Sequence, residues 1–119
     1  AYQRRGDLAR ARWFVDALIA VDPLEPEHHF RRALLLEEGG DLGGAARSLH
    51  RALGLSPDDD LASEIRLAVR LLDSGQLRQI VQRADEELLF NLALRRDARA
   101  AAAERGYFLS SFGLVLLDA

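Results

Sequence analysis

The chain of 119 residues contains no cysteine, no methionine and no lysine. Without cysteine it can form neither a disulfide nor a zinc site with thiolate ligands. All sixteen basic residues are arginine, and because this holds at every basic position we attribute it to compositional bias rather than to anion recognition. Methionine is missing even at residue 1, so we expect the chain to begin inside a longer protein or to have lost its start.

Long apolar runs are also missing from the sequence. The longest, at residues 112–117, is far shorter than the roughly 18 residues that span a membrane, so we expect no membrane insertion. The net charge of −3 offers no general attraction to nucleic acid. Hydrophobic residues at 49% and charged residues at 29% are typical of a globular domain and exclude a disordered chain.

What the sequence does contain is an internal repeat. Residues 6–23 read GDLARARWFVDALIAVDP, and residues 40–57 read GDLGGAARSLHRALGLSP. Five positions match at an offset of 34 residues, namely the initial Gly-Asp-Leu, one alanine and the final proline. A weaker third copy begins at Gly75, 35 residues after Gly40. A period of this length is typical of arrays built from helix pairs.

The residue types at this period resemble the tetratricopeptide repeat, in which each unit is a pair of antiparallel helices, A and B. The resemblance implies a glycine turn between the two helices, a small residue in helix B and a proline at its end. Two positions depart from the family pattern: Arg32, where a large apolar residue is usual, and Ile80, where alanine is expected. The positions that match are Tyr2, Gly6, Ala11, Pro23, Ala33, Leu36, Gly40, Ala45, Ala52, Pro57, Leu67, Ala68, Leu71 and Gly75.

These observations predict an all-α fold, an array of antiparallel helix hairpins of the α-solenoid type, over residues 1–75. The first repeat lacks most of its helix A. Glycine tolerates the positive φ that ends a helix, so we predict a helix end at each of Gly6, Gly40 and Gly75. The array therefore ends near Gly75, and residues 76–119 form a separate helical segment packed on the repeats.

This C-terminal segment reads as four short helical pieces. Asp85, Asp97 and Ser110 or Ser111 are predicted N-caps, and Gly106 is a predicted C-cap. In one interpretation the segment is an atypical cap that covers the apolar end of the array. The side chains expected to provide that cover are Leu88, Leu89, Leu92, Phe108, Phe112, Leu116 and Leu117.

A second interpretation of this segment rests on a resemblance. The stretch RADEELLFNLALRRDARAAAAERGYFLSS is similar to small helical leader-peptide domains first noted beside nitrogen-fixation genes. The similarity consists of Asp-x-x-Leu, then Ala-x-x-x-Gly-Tyr, then a polar residue that opens the last helix. It implies recognition of the segment by peptide-modifying enzymes, and the two interpretations remain open.

No residue arrangement predicts catalysis, a cofactor or a metal site. His28 and His29 are adjacent, point in different directions on a helix and lack a histidine at i+4, so we interpret them as an exposed helix start. The acidic run 58–60 lacks the spacing of a calcium loop and is predicted to cap the next helix. Trp13 is predicted to lie in the core. We therefore expect a protein that is not an enzyme.

A binding site is predicted instead, because the resemblance implies a concave groove lined by the A helices. Arg31 and Arg66 share a register in successive repeats, but apolar residues dominate and the asparagine of carboxylate-clamping family members is absent. The predicted partner is therefore a protein or peptide that presents an amphipathic helix. The predicted groove residues are Glu27, Phe30, Arg31, Leu34, Ile65, Arg66, Val69, Leu72 and Asp73, with Glu37, Glu38 and Ala62 beside them.

An alternative reading gives the chain a structural role. In it, the chain's own last helix fills the groove, and the chain is one segment of a larger assembly.

Overall fold

The computed structural model describes residues 2–119, and the side chains from residue 5 onward. This part of the chain is all-helical, which confirms the predicted fold class. None of the described helices is both long enough and apolar enough to cross a bilayer. The helices are α1 (Tyr2–Val21), α2 (Pro26–Glu38), α3 (Leu42–Gly54), α4 (Asp59–Glu86), α5 (Leu88–Arg96), α6 (Ala98–Glu104) and α7 (Ser111–Asp118).

Helices α2 and α3 form the hairpin that the repeat predicts. Pro26 occupies the first turn of α2, where its missing N–H costs no hydrogen bond. Gly40 adopts a φ of +91°, and the next residue, Asp41, caps α3 by accepting a hydrogen bond from the Gly44 N–H at 2.8 Å. The predicted helix end at Gly40 is therefore confirmed.

The other two predicted glycine turns are wrong. Gly6 lies inside α1, and Gly75 lies inside α4. A single glycine inside a helix costs only about 1 kcal/mol relative to alanine, which helices of 20 and 28 residues tolerate. At Gly75 the missing side chain also admits Leu42 of α3, whose Cδ1 would lie 3.2 Å from an added Cβ. Tyr2, which matches the family pattern, is the first residue of α1, and its side chain lies outside the described residues.

A first hydrophobic core joins α2, α3 and the N-terminal half of α4. Small residues at Ala45 and Ala52 are fully buried, so α3 approaches its neighbours closely. Phe30, Val69 and Phe108 pack against this core from its edges. Its buried members are Ala33, Leu36, Ala45, Ala46, Leu49, Ala52, Ile65 and Leu72.

A second core lies at the other end of α4. Ile80 of α4 packs with Phe90 of α5 and with residues of α6 and the 107–109 segment. Helix α4 contributes to both cores. The proposed boundary between residues 75 and 76 lies within this one continuous helix. The division into two parts stays a proposal.

Most of the side chains of the C-terminal segment that were predicted to provide cover are exposed, so that prediction is mostly wrong, and α5 begins later than predicted. Asp85 lies within α4, and Glu87 occupies the N-cap position of α5 without a side-chain hydrogen bond. This register turns Phe90 inward, while Phe108 and Leu117 pack half-buried against the cores. The predicted covering residues that are exposed instead are Leu88, Leu89, Leu92, Phe112 and Leu116.

The remaining cap predictions are confirmed. Asp97 accepts a hydrogen bond from the Ala100 N–H at 3.1 Å, and the Ser110 hydroxyl accepts one from the Gly113 N–H at 3.3 Å. Asp58 caps α4 in the same way. Gly106 follows α6 with a φ of +86°.

Candidate functional site

On α2, most of the predicted groove residues face solvent. Glu27 and Arg31 are exposed and form an i, i+4 ion pair at 2.9 Å. Leu34 is 45% exposed, whereas Phe30 is half-buried against the first core. Glu37 and Glu38 are exposed as well. This side of α2 is accessible to a partner.

On α4, the predicted groove residues divide between surface and interior. Arg66 is exposed, and Val69 is half-buried. Ile65, Leu72 and Asp73 are at most 4% exposed, and Ala62 is buried as well. These buried side chains offer a partner no surface in this conformation, because α3 and the C-terminal segment pack on that face of α4. The assignment of a partner groove to these residues stays a prediction.

Two leucines of α4 that match the family pattern, but that were not assigned to the predicted groove, are exposed. Leu67 is 61% exposed and Leu71 is 63% exposed. They lie four residues apart and therefore share one face of the helix. That face continues toward Val81, which is 62% exposed. The i, i+4 spacing was visible in the sequence, but spacing alone does not show which of two apolar helix faces is buried.

Residues 107–111 dock on α4 through side chains of that helix. Gln76, which is fully buried, accepts a hydrogen bond from the Phe108 N–H at 2.7 Å and donates one to the Phe108 carbonyl at 3.0 Å. Asp73 accepts hydrogen bonds from the N–H of Ser110 at 2.9 Å and from the Ser110 hydroxyl. The rings of His50 and Phe108 meet edge to face, with centroids 5.4 Å apart. This segment therefore covers one side of α4.

A cavity of about 260 Å³ lies between this segment and the helices α3 and α4. Its walls are mainly apolar and include Leu53, Val69, Phe108 and Leu114. Two predicted groove residues, Val69 and Asp73, thus border the chain's own C-terminal segment. The contacts come largely from residues 107–111, while much of α7 is exposed.

A separate apolar surface lies on α1. Trp13 is 67% exposed, so the prediction that it lies in the core is wrong. It meets Phe14 in a T-shaped contact, with ring centroids 5.3 Å apart. Leu18 and Val21 extend the same exposed surface. At the repeat offset, position 18 is equivalent to Ala52 of α3, which is fully buried, so the two equivalent positions differ in exposure.

The histidines form no metal centre. His29 is buried, and its Nε2 lies 2.8 Å from the carbonyl oxygen of Pro23, so its predicted exposed position is wrong. The ring closes the turn between α1 and α2. Within the described residues, no group of three or more histidine, aspartate or glutamate side chains is arranged to hold a metal ion.

One ion pair has a clear electrostatic effect. Arg105 donates a hydrogen bond to Glu87 at 2.6 Å, which joins the end of α6 to the start of α5. This hydrogen bond lowers the pKa of Glu87 and raises the pKa of Arg105. The Arg105 guanidinium also lies 4.7 Å from the centroid of the Phe90 ring. The pair therefore fixes the hairpin of α5 and α6 over the second core.

Comparison with known proteins supports the repeat. A family model described as a tetratricopeptide repeat matches residues 1–70, more than half of the chain. No curated protein and no solved structure matches the chain.

Proposed function

Since the chain belongs to the tetratricopeptide repeat family, we propose that it is a non-catalytic scaffold for protein–protein interaction. Repeats of this family are typically interaction modules without catalytic groups. The finer part of the proposal is that the partner presents a peptide or an amphipathic helix to the outward faces of α2 and α4. The observation that carries it is the exposed leucine pair, Leu67 and Leu71, on a repeat scaffold.

The chemistry of these faces suits an amphipathic helix with an acidic flank. Leu34, Leu67 and Leu71 provide apolar contact area, which supplies most of the affinity in helix recognition. Arg66 and Arg70 are exposed on α4 and form no ion pair among the described residues. Carboxylates at the edge of a bound helix would reach these two guanidinium groups.

The test replaces the exposed leucines rather than residues that support the core. Substitution of Phe30 or Val69 would disturb the first core, so it could not separate binding from folding. The double variant Leu67→Asp with Leu71→Asp should keep its helical circular dichroism, since both side chains are more than half exposed. We expect it to lose a partner that the unchanged chain captures from its native source.

A matched control uses another exposed leucine pair. Leu88 and Leu89 are 72% and 80% exposed on α5, and their double substitution by aspartate introduces the same charge. This control should retain the partner. Equal capture by both double variants, or loss of the partner in both, would contradict the proposed surface. Once the partner is identified and purified, the ratio of its affinities for the unchanged chain and for the double variant can be measured.

The exposed surface of α1 favours a second candidate function, a structural segment within a larger assembly. Trp13, Phe14, Leu18 and Val21 form an apolar patch of the kind that marks protein contacts. Trp13 is the single tryptophan of the chain, so its fluorescence reports burial of this patch directly. If the patch assembles, sedimentation should show association at rising concentration together with a blue shift of the emission. A monomer with unchanged emission would contradict self-assembly.

The leader-like interpretation of residues 76–119 stays a prediction. A deletion of residues 1–75 does not test it cleanly, because it would cut α4 and remove Asp73, which holds Ser110. Binding of a peptide-modifying enzyme to the full chain is the more suitable measurement.

A further inference from the structure

A cleft of about 510 Å³ opens where α1, α2 and α3 meet. It contains neither of the exposed leucines of α4, and three arginines line it. Arg32 enters it from α2, while Arg47 and Arg51 enter it from α3. Asp16 of α1 contributes the one carboxylate among the residues that line it. The cleft is therefore net positive in a chain whose net charge is negative.

Arg32 is held in place by two neighbours. Its Nε donates to the Asp16 carboxylate at 3.1 Å, and its Nη1 donates to the hydroxyl of the buried Ser48 at 3.0 Å. Its side chain is 36% exposed, so part of the guanidinium still faces the cleft. This residue stands where the repeat pattern usually has a large apolar side chain. A polar side chain therefore lines the cleft at a position that the repeat pattern normally uses for packing.

Arg47 and Arg51 retain most of their hydrogen-bonding capacity. Arg47 donates to the carbonyl oxygen of Gly106 at 3.1 Å, and within the described part of the chain Arg51 has no acceptor. The two residues lie one helical turn apart, so their side chains emerge side by side on α3. Each guanidinium has five N–H donors, and most of these remain open to a ligand.

We propose that this cleft binds a short acidic peptide segment, with carboxylates paired to Arg47 and Arg51. Guanidinium groups bind carboxylates through charge-assisted hydrogen bonds, and Arg32 already donates one such bond to Asp16. The cleft is far larger than a single phosphate, and Ile19 gives it an apolar wall for a neighbouring side chain.

The test measures fluorescence anisotropy with a fluorescein-labelled peptide, Glu-Leu-Glu-Leu-Glu, and with its neutral counterpart, Gln-Leu-Gln-Leu-Gln. The unchanged chain should bind the acidic peptide and not the neutral one, and the affinity should fall as salt increases. The double variant Arg47→Ala with Arg51→Ala should bind the acidic peptide at least about tenfold more weakly, because two charge-assisted contacts are lost.

Two control variants separate this cleft from net charge and from the proposed helix-binding surface. Arg95→Ala with Arg96→Ala removes the same charge from exposed positions on α5 and should bind the acidic peptide normally. The Leu67→Asp, Leu71→Asp variant should also bind it normally, whatever happens to the partner of α4. The proposal would be overturned by no binding of the acidic peptide, by equal weakening in the Arg95 and Arg96 variant, or by full competition from inorganic phosphate at equal concentration.

Discussion

The side chain of Gln76 and the backbone of Phe108 exchange two hydrogen bonds, one in each direction, at 2.7 and 3.0 Å. The amide thus acts toward residue 108 as the backbone of a neighbouring strand would. Gln76 also donates to the carbonyl oxygen of Leu72 at 3.3 Å, within its own helix. Because the side chain is fully buried, this exchange joins the C-terminal segment to the interior of α4.

Loss of this amide should destabilise the whole chain. Gln76→Ala leaves two backbone groups of Phe108 without their partner and creates a cavity, so we expect the free energy of unfolding to fall by about 2–4 kcal/mol. Urea denaturation followed by circular dichroism measures the difference. Gln82→Ala, at an exposed position of the same helix, should change stability by no more than about 0.5 kcal/mol. Similar losses in both variants would contradict the assigned role of Gln76.

The two repeat-equivalent glycines should respond to alanine in opposite directions. Gly6 lies inside α1, and an added Cβ would meet nothing within 4 Å, so Gly6→Ala should stabilise the chain by about 0.5–1 kcal/mol. Gly40 has a φ of +91°, so Gly40→Ala should destabilise it by about 1–2 kcal/mol. Thermal denaturation of the two variants is the measurement. A destabilised Gly6 variant would indicate that α1 ends there after all.

No side chain should be tolerated at Gly43, where α3 approaches residues 106–107 closely. A Cβ at Gly43 would lie 1.8 Å from the carbonyl oxygen of Gly106, so Gly43→Ala must shift backbone and should cost about 2–3 kcal/mol of stability. Gly54, in the same helix, has nothing within 4 Å of the equivalent position. Gly54→Ala should therefore stay within about 0.5 kcal/mol of the unchanged chain. Chemical denaturation of the two variants tests the contact, and equal stabilities would refute it.

The ion pair of Glu87 and Arg105 should make stability depend on pH in the acidic range. The hydrogen bond from Arg105 lowers the pKa of Glu87 below its ordinary value of 4.5, so the folded state favours the carboxylate more than the unfolded state does. Its contribution is therefore complete above pH 4.5 and is lost as the pH falls through the lowered pKa. Glu87→Gln should melt at a lower temperature than the unchanged chain near pH 7, and the gap should close at low pH.

A control for this pH dependence is Glu64→Gln. Glu64 is exposed on α4 and has no ion-pair partner within the described residues. Its substitution should leave the melting temperature nearly unchanged at both pH values. A gap for Glu87→Gln that persists unchanged at low pH would show that the ion pair is not its cause.

The candidate surfaces were less predictable than the fold. Ile65, Leu72 and Asp73 were predicted to line a partner groove, but they are buried, while Leu67 and Leu71 on the same helix are exposed. Both faces of α4 carry apolar residues at helical spacing, and periodicity does not show which of the two faces is buried. The arginine cleft was missed for a related reason, since its residues come from helices that become neighbours only on folding.

By itself the sequence determined the helical class, the 34-residue period, the hairpin at Gly40 and the caps at Asp58, Asp97 and Ser110. These features depend on turn and capping chemistry between residues close in the chain. Only the tertiary structure decided that helices continue through Gly6 and Gly75 and which face of α4 is buried. The physical reason is that α4 packs against residues far away in the chain, such as Ser110 on Asp73 at a separation of 37 residues, and such contacts outweigh the small local preference of one glycine.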